Sequence, residues 1–236
     1  MKPPVAVYCD FDGTVTREDV VDVLLADLAD PSWQDVEAEW QRGAIGSREC
    51  LARQIPLIRG GWSAIAKRLR DMRLDPTFRT FAAWCRGNAI PVRIVSDGLD
   101  RVIQTLLTRE RIVVDAVWAN HLETSPTGEF SIEFPYPPSD PQCRAGLCKC
   151  QILGRASAQP LCVVIGDGRS DLCWATRGSW LFAKSELLTY CRMHGISCTA
   201  FDDFETIRFA MERLLGDGGA PEVTQRRVRN RLPANV

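Results

Sequence analysis

Residues 6–16 read AVYCDFDGTVT. An apolar run climbs into two aspartates separated by one phenylalanine, then breaks at Gly13 and Thr14. Strand alternation sends Asp10 and Asp12 to the same side and Phe11 to the other. Two carboxylates that close repel each other unless a cation or a proton is shared between them. The stretch therefore implies a site, and the rest of the chain says what the pair shares.

Similar short runs, apolar and rich in β-branched residues, recur at 91–95, 113–118, 161–165 and 180–183. They suit strands of a parallel sheet covered on both faces. Helical spacing lies between them, as in Leu99, Val102, Ile103, Leu106 and Leu107, and again in Phe204, Ile207, Met211, Leu214 and Leu215. Strands alternating with helices predict an α/β fold with a doubly wound, Rossmann-like parallel sheet. One interval breaks the alternation: residues 17–88 hold several helical patterns and no convincing strand. They are expected to form a helical cap inserted after the first strand, over the carboxyl ends of a core made of 1–16 and 89–216. Residues 119–140 read as a hairpin or flap, and 217–236, Gly/Pro-rich and then basic, as a flexible tail.

Bulk properties narrow the function. The chain has 236 residues, 45% hydrophobic and 25% charged, with a formal net charge of −1. That charge gives no global attraction to nucleic acid or to anionic membranes. No apolar stretch approaches the roughly 18–20 residues of a membrane helix, and the N-terminal apolar run is short for a signal peptide. A cytoplasmic protein is expected. Ten cysteines are too few for a disulfide scaffold, and most read as small buried hydrophobes. The exception is CRAGLCKC, residues 143–150. Its three thiols lack the usual zinc-ligand spacing and need a fourth ligand, so structural Zn²⁺, a redox pair and plain packing all stay open for Cys143, Cys148 and Cys150.

Three strands end in polar residues: YCDFDGT, RIVSDG and VVIGDGRSD. In a doubly wound sheet those ends share one edge, which gathers Asp10, Asp12, Ser96, Asp97, Asp167 and Asp171 in one crevice. So many carboxylates with only two histidines in the chain point to a hard cation, and Mg²⁺ fits best. GDGRSD imitates the start of a dinucleotide fingerprint, but Asp171 stands where its third glycine belongs. No serine has the frame of a hydrolase nucleophile elbow.

DFDGTVT, SDG, an intervening lysine and GDGRSD, in that order after successive strands, resemble the four motifs of the haloacid dehalogenase superfamily. The cap length resembles its phosphoserine-phosphatase-like branch. CDFDGTVTREDVVDVLL, ANH and the cysteine-flanked lysine look most like the 2-hydroxy-3-keto-5-methylthiopentenyl-1-phosphate phosphatases of methionine salvage. The resemblance implies a phosphoric monoester hydrolase with Asp10 as nucleophile, Asp12 as general acid and base, and Lys149 as the catalytic lysine, Lys184 being the other candidate. It implies Mg²⁺ held by Asp10, Asp12 and Asp167 with Asp171 in support, and a phosphate cradle of Ser96, the Gly98 amide and Lys149. Asp97 would lie near the substrate entrance. Asp19 falls where phosphoserine phosphatases carry a glutamate that meets the substrate ammonium. The expected partner is a small phosphorylated metabolite, with no nucleic acid and no membrane, and a homodimer is left open. Phosphoserine, a phosphotransfer acceptor, and a non-catalytic zinc or redox module on an inactive scaffold are the alternatives.

Overall fold

In the computed structural model, residues 4–155 and 161–216 are described, so the expected tail at 217–236 lies outside the described residues. The opening stretch forms β1, Val5–Cys9, with all five residues buried. The other strands are β2 Val92–Leu99, β3 Ala116–Thr124, β4 Phe130–Glu133, β5 Leu161–Gly166, β6 Trp180–Ala183 and β7 Thr199–Ala200. They make one sheet in the order β4-β3-β2-β1-β5-β6-β7. Every pairing is parallel except β3 with β4. From β1 the chain moves outward through β2 and β3, then crosses to β5 on the other flank of β1. That reversal puts a switch point at the carboxyl ends of β1 and β5, where open α/β sheets bind ligands.

The helices are α1 Val20–Leu28, α2 Trp33–Gln41, α3 Ser47–Gln54, α4 Gly61–Leu69, α5 Phe78–Gly87, α6 Asp100–Arg109, α7 Lys149–Arg155, α8 Ser185–His194 and α9 Phe204–Gly216. Alternation along β1 divides them. Val5, Val7 and Cys9 pack into one apolar cluster with α5, α6 and α9, while Ala6 and Tyr8 pack into a second with α7 and α8. The sheet is thus covered on both faces, as its continuous apolar strands require.

The helices between β1 and β2 do not form a single unit. Phe78 and Phe81 of α5 stack against Phe204 of α9, which fixes α5 to the sheet layer. α1, α4 and the 3-10 turn Ile55–Leu57 feed Leu24, Leu25, Ile55 and Ile65 into that same cluster. Only α2 and α3 enclose a small cluster of their own: Val36, Ile45 and Cys50, with Trp40 against it. Elsewhere the elements depart from expectation for identifiable reasons. β3 starts at Ala116 rather than near 113, because Val113 is 60% exposed and Asp115 first closes a two-way bond to the Val92 backbone. β2 runs on through SDG with a register break between Val95 and Leu99, which lifts residues 96–98 out of the regular ladder. The expected flap is the outer half of β3 with its antiparallel partner β4. No described helix is long and apolar enough to cross a membrane.

Candidate active site

Asp10 stands just past β1 and is 4% exposed, with its amide still donating to Ile165 of β5. One carboxylate oxygen accepts the Phe11 amide at 2.7 Å, and the other lies 2.7 Å from Lys149 Nζ. Lys149 is 1% exposed at the start of α7 and also reaches Asp171 Oδ1 at 2.8 Å. The other Asp171 oxygen accepts the amides of Asp167 and Gly168. Thr14 Oγ1 donates to Asp167 at 2.6 Å. Gly13 has φ of +68°, and a Cβ there would run into the Asp167 carboxylate, so the turn after the paired aspartates requires glycine. Lys184 instead donates to the Thr14 carbonyl at 3.2 Å. Lys149 is therefore the lysine that meets the carboxylates.

Asp12 points from the same turn to a different set of partners. Its carboxylate accepts the Val20 amide at 3.0 Å, at the start of α1, and Ser96 Oγ at 3.2 Å. Ser96 Oγ in turn accepts the Gly98 amide at 2.9 Å. Gly98 is another position where side-chain size is fatal, since a Cβ would strike the Asp12 carboxylate. The Gly98 amide, expected to be free for a phosphate, is spent on Ser96.

Burial raises the pKa of both aspartates, and their neighbours differ. Burial, and then the Asp171 carboxylate, push the Asp10 pKa well up, against the pull of Lys149. For Lys149, burial opposes the ammonium, but Asp10 and Asp171 outweigh it and hold its pKa above the ordinary value. Burial and then Asp19 raise Asp12 to about 8, so it carries a proton at neutral pH. Asp167 rises to about 6 through burial and Asp171. Carboxylate oxygens of Asp10, Asp167 and Asp171 lie within 4.8 Å of one another. Three hard anionic donors that close fit a hard divalent cation such as Mg²⁺.

These groups line a cavity of about 280 Å³. Its floor is Asp10, Asp12, Ser96, Gly98 and Asp167 at the sheet edge; its roof is Asp19, Val21, Asp22, Glu37, Trp40, Leu51 and Gln54 from α1–α3 and the residue preceding α1. Asp19 caps α1 by accepting the Asp22 amide. Burial, Asp19 and Glu37 push Asp22 up to about 7.

Several expected residues have other roles in the geometry. Asp97 lines the cavity but its carboxylate is fully engaged: it accepts Ser47 Oγ of α3 at 2.5 Å, the Leu147 amide at 2.8 Å and Asn120 Nδ2 at 3.0 Å. It ties the cap and the lysine loop to the sheet. Arg53 pairs with Glu39, and Arg48 lies over Phe134 at 5.0 Å, both outside the cavity lining. His121 pairs with Asp100 on the outer part of β3. Trp40 packs against the small cluster of α2 and α3 and also faces the cavity, with Arg169 over its ring at 5.1 Å. Of the three candidate thiols, Cys148 and Cys150 lie 3.3 Å apart, and the third sulfur beside them is Cys173. Cys143 is not part of that group of three, and with Cys173 it lines the cavity. Thiols of Cys143, Cys150 and Cys173 around Cys148 pull its pKa down.

Sequence reading missed Thr14, Ser47, Glu37 and Cys173. Thr14 was legible, since it follows the paired aspartates directly. The other three meet the site only through helix and loop packing.

The profile of the haloacid dehalogenase-like hydrolases matches residues 7–176. The chain is 28% identical over 217 residues to the 2-hydroxy-3-keto-5-methylthiopentenyl-1-phosphate phosphatase of Bacillus velezensis, covering 88% of this chain and 90% of that protein. The Geobacillus kaustophilus protein of the same name is 29% identical over 221 residues, covering 91% and 98%. Among solved structures, a phospho-aspartyl intermediate analogue of phosphoserine phosphatase superposes with a TM-score of 0.66 at 17% identity, covering 89% of this chain and 99% of that one. At that identity the likeness speaks for the fold.

Proposed function

This chain belongs to the haloacid dehalogenase-like hydrolases, and on that premise we propose that it hydrolyses small phosphate monoesters through a phosphorylated Asp10. The observation that carries the proposal is the division of labour at the end of β1. Asp10 is ion-paired to a buried lysine, while Asp12, two residues on, sits in a different pocket of hydrogen bonds from the Val20 amide and Ser96 Oγ.

In the first step the Asp10 carboxylate attacks phosphorus and the P–O bond to the leaving alcohol breaks. Asp12 delivers its proton to that oxygen, so the alcohol departs neutral. In the second, Asp12 takes a proton from water, which attacks phosphorus and frees Asp10 with release of phosphate. Lys149 supplies a fixed point charge against the transferring phosphoryl group, and Ser96 Oγ a hydrogen-bond donor beside Asp12. Asp10, the Asp12 carbonyl and Asp167 would hold Mg²⁺, with Asp171 behind them, fully buried and outside the cavity lining. The bound ion supplies charge stabilisation for the transferring phosphoryl group.

For the substrate we favour a keto-pentenyl phosphate carrying a methylthio group. Support comes from the names of the two bacterial relatives and from Val21, Trp40 and Leu51, which offer the roof of the cavity an apolar surface for a thioether end. A second reading has its own observation. Asp19, Asp22 and Glu37 line the same roof, and three carboxylates suit an ammonium-bearing ester such as phosphoserine. Phosphate release from a panel containing both esters, with Mg²⁺ and with excess chelator, tests the proposal. Mg²⁺-dependent turnover with the methylthio ester ranked first in kcat/KM is expected. Phosphoserine ranked first selects the second reading, and no turnover of any ester overturns both.

A further inference from the structure

The phosphate chemistry leaves one group of nucleophilic side chains unused. Cys148 and Cys150 flank Lys149 in the chain, and Cys173 lies two residues beyond Asp171. Their sulfurs come within 4.8 Å of one another, although 22 residues lie between Cys150 and Cys173. Cys143, at the far end of the same loop, stands outside that group of three. All four thiols are free.

We propose that Cys148, Cys150 and Cys173 bind one Zn²⁺ ion as a thiolate site that clamps together the two segments carrying Lys149 and Asp171. The donor set is soft and has neither a carboxylate nor an imidazole, which selects a thiophilic ion over Mg²⁺. Thiolates bound tetrahedrally to zinc at about 2.3 Å stand roughly 3.8 Å apart. Cys148 and Cys150, at 3.3 Å, need open only slightly to reach that spacing. A fourth ligand, a water or the Cys143 thiol brought in by its loop, completes the tetrahedron. A disulfide would use two of three mutually adjacent sulfurs and strand the third. Binding releases the thiol protons to solvent and changes no oxidation state. The clamp bears on the Lys149–Asp171 pair at 2.8 Å, whose two members stand next to and two residues from ligands. The cysteines are therefore positioning residues, with Cys143 and Cys173 also at the cavity wall.

The test is metal content, read without any phosphatase assay, so its failure is separable from failure of the phosphate chemistry. Wild-type full-length chain, purified under reducing conditions and passed through a chelator that strips Mg²⁺, is expected to keep about one zinc per chain by mass spectrometry of the metal. Mercurial thiol reagent should release it stoichiometrically. Co²⁺ supplied in place of zinc should give the intense thiolate charge-transfer absorption of a tetrahedral sulfur site. Cys173→Ser should lose the zinc and that absorption, while Cys198→Ser, outside the cluster, keeps both. If Cys173→Ser fails to fold, the wild-type Co²⁺ titration decides alone. Reduced wild-type chain with no zinc and no cobalt–thiolate absorption overturns the proposal. So does a native peptide map in which two of these four cysteines are joined, since the cluster is then a redox pair.

Discussion

The floor and the roof of the cavity are built on different terms. The floor is made by strand ends: Asp10, Ser96 and Asp167 follow or end neighbouring parallel strands, and their contacts of 2.6–2.9 Å are with partners equally fixed. The roof is made by short helices, of which α2 and α3 enclose a cluster of Val36, Ile45 and Cys50 and send Trp33 and Leu51 against the main core. A sheet edge holds a constellation of charges rigidly, whereas short helices with little core can vary their inner faces without disturbing it. The floor should therefore decide whether reaction occurs, and the roof which ester reacts.

The sharpest way to break that division is at Asp10. Asp10→Asn removes the nucleophile and should cut kcat by at least about 10⁴-fold for every ester, as loss of a nucleophile does elsewhere. Single-turnover measurements with acid quench should detect no phosphorylated enzyme. An ester that still turned over would move the chemistry away from β1. Next is Lys149→Met, which leaves Asp10 and Asp171 buried without their cation. Loss of a preorganised charge of this kind costs about 10²–10³ in kcat. Breaking a buried pair also costs about 3–5 kcal/mol, visible as a lowered Tm in a thermal melt. Both effects are expected irrespective of the ester.

Roof substitutions should behave otherwise. Leu51→Ala should lower kcat/KM about 10-fold for an ester with an apolar tail, the value of a lost apolar contact. A short ester such as glycerol phosphate should be unaffected, and equal losses for both would erase the distinction between floor and roof. Ser47→Ala removes the donor from α3 to Asp97 and the acceptor for the Gly146 amide. At about 1 kcal/mol for such a bond, a few-fold rise in KM with little change in kcat is expected.

The smallest effect is far from the cavity. Asp100 raises the pKa of His121 through a 2.7 Å hydrogen bond. Stability from this pair is present in full below the ordinary histidine pKa of about 6.5 and is lost as pH rises through the raised value. Both groups are at least one-third exposed at their side chains, so His121→Ala should cost only a few tenths of a kcal/mol at pH 6 and nothing at pH 9. Urea titrations at the two values check the sign.

The same contrast explains what the sequence disclosed. The floor was legible because each group directly follows an apolar strand, and parallel topology brings strand ends together whatever the loops do. Lys149 could be singled out by its place at a helix start before β5, and it is the lysine that meets Asp10 and Asp171. The second role of Asp97 was hidden because Ser47, 50 residues away, is its partner. The roof carboxylate Glu37 and the thiol of Cys173 were hidden likewise, since no local period marks a side chain that matters only after two elements pack. β7 was missed because two residues with no apolar signal of their own complete the edge.

The three-residue cluster under α2 and α3 has a consequence for time rather than for affinity. Opening that helix pair exposes little apolar surface, so it should visit solvent often while the sheet and the remaining helices stay closed. Backbone amides of α2 and α3 should then exchange with deuterium well before those of β1 and β5, and saturation with inorganic phosphate should slow them. Such breathing would let product leave without any larger hinge, and turnover would be paced by the departure of phosphate instead of by its chemistry.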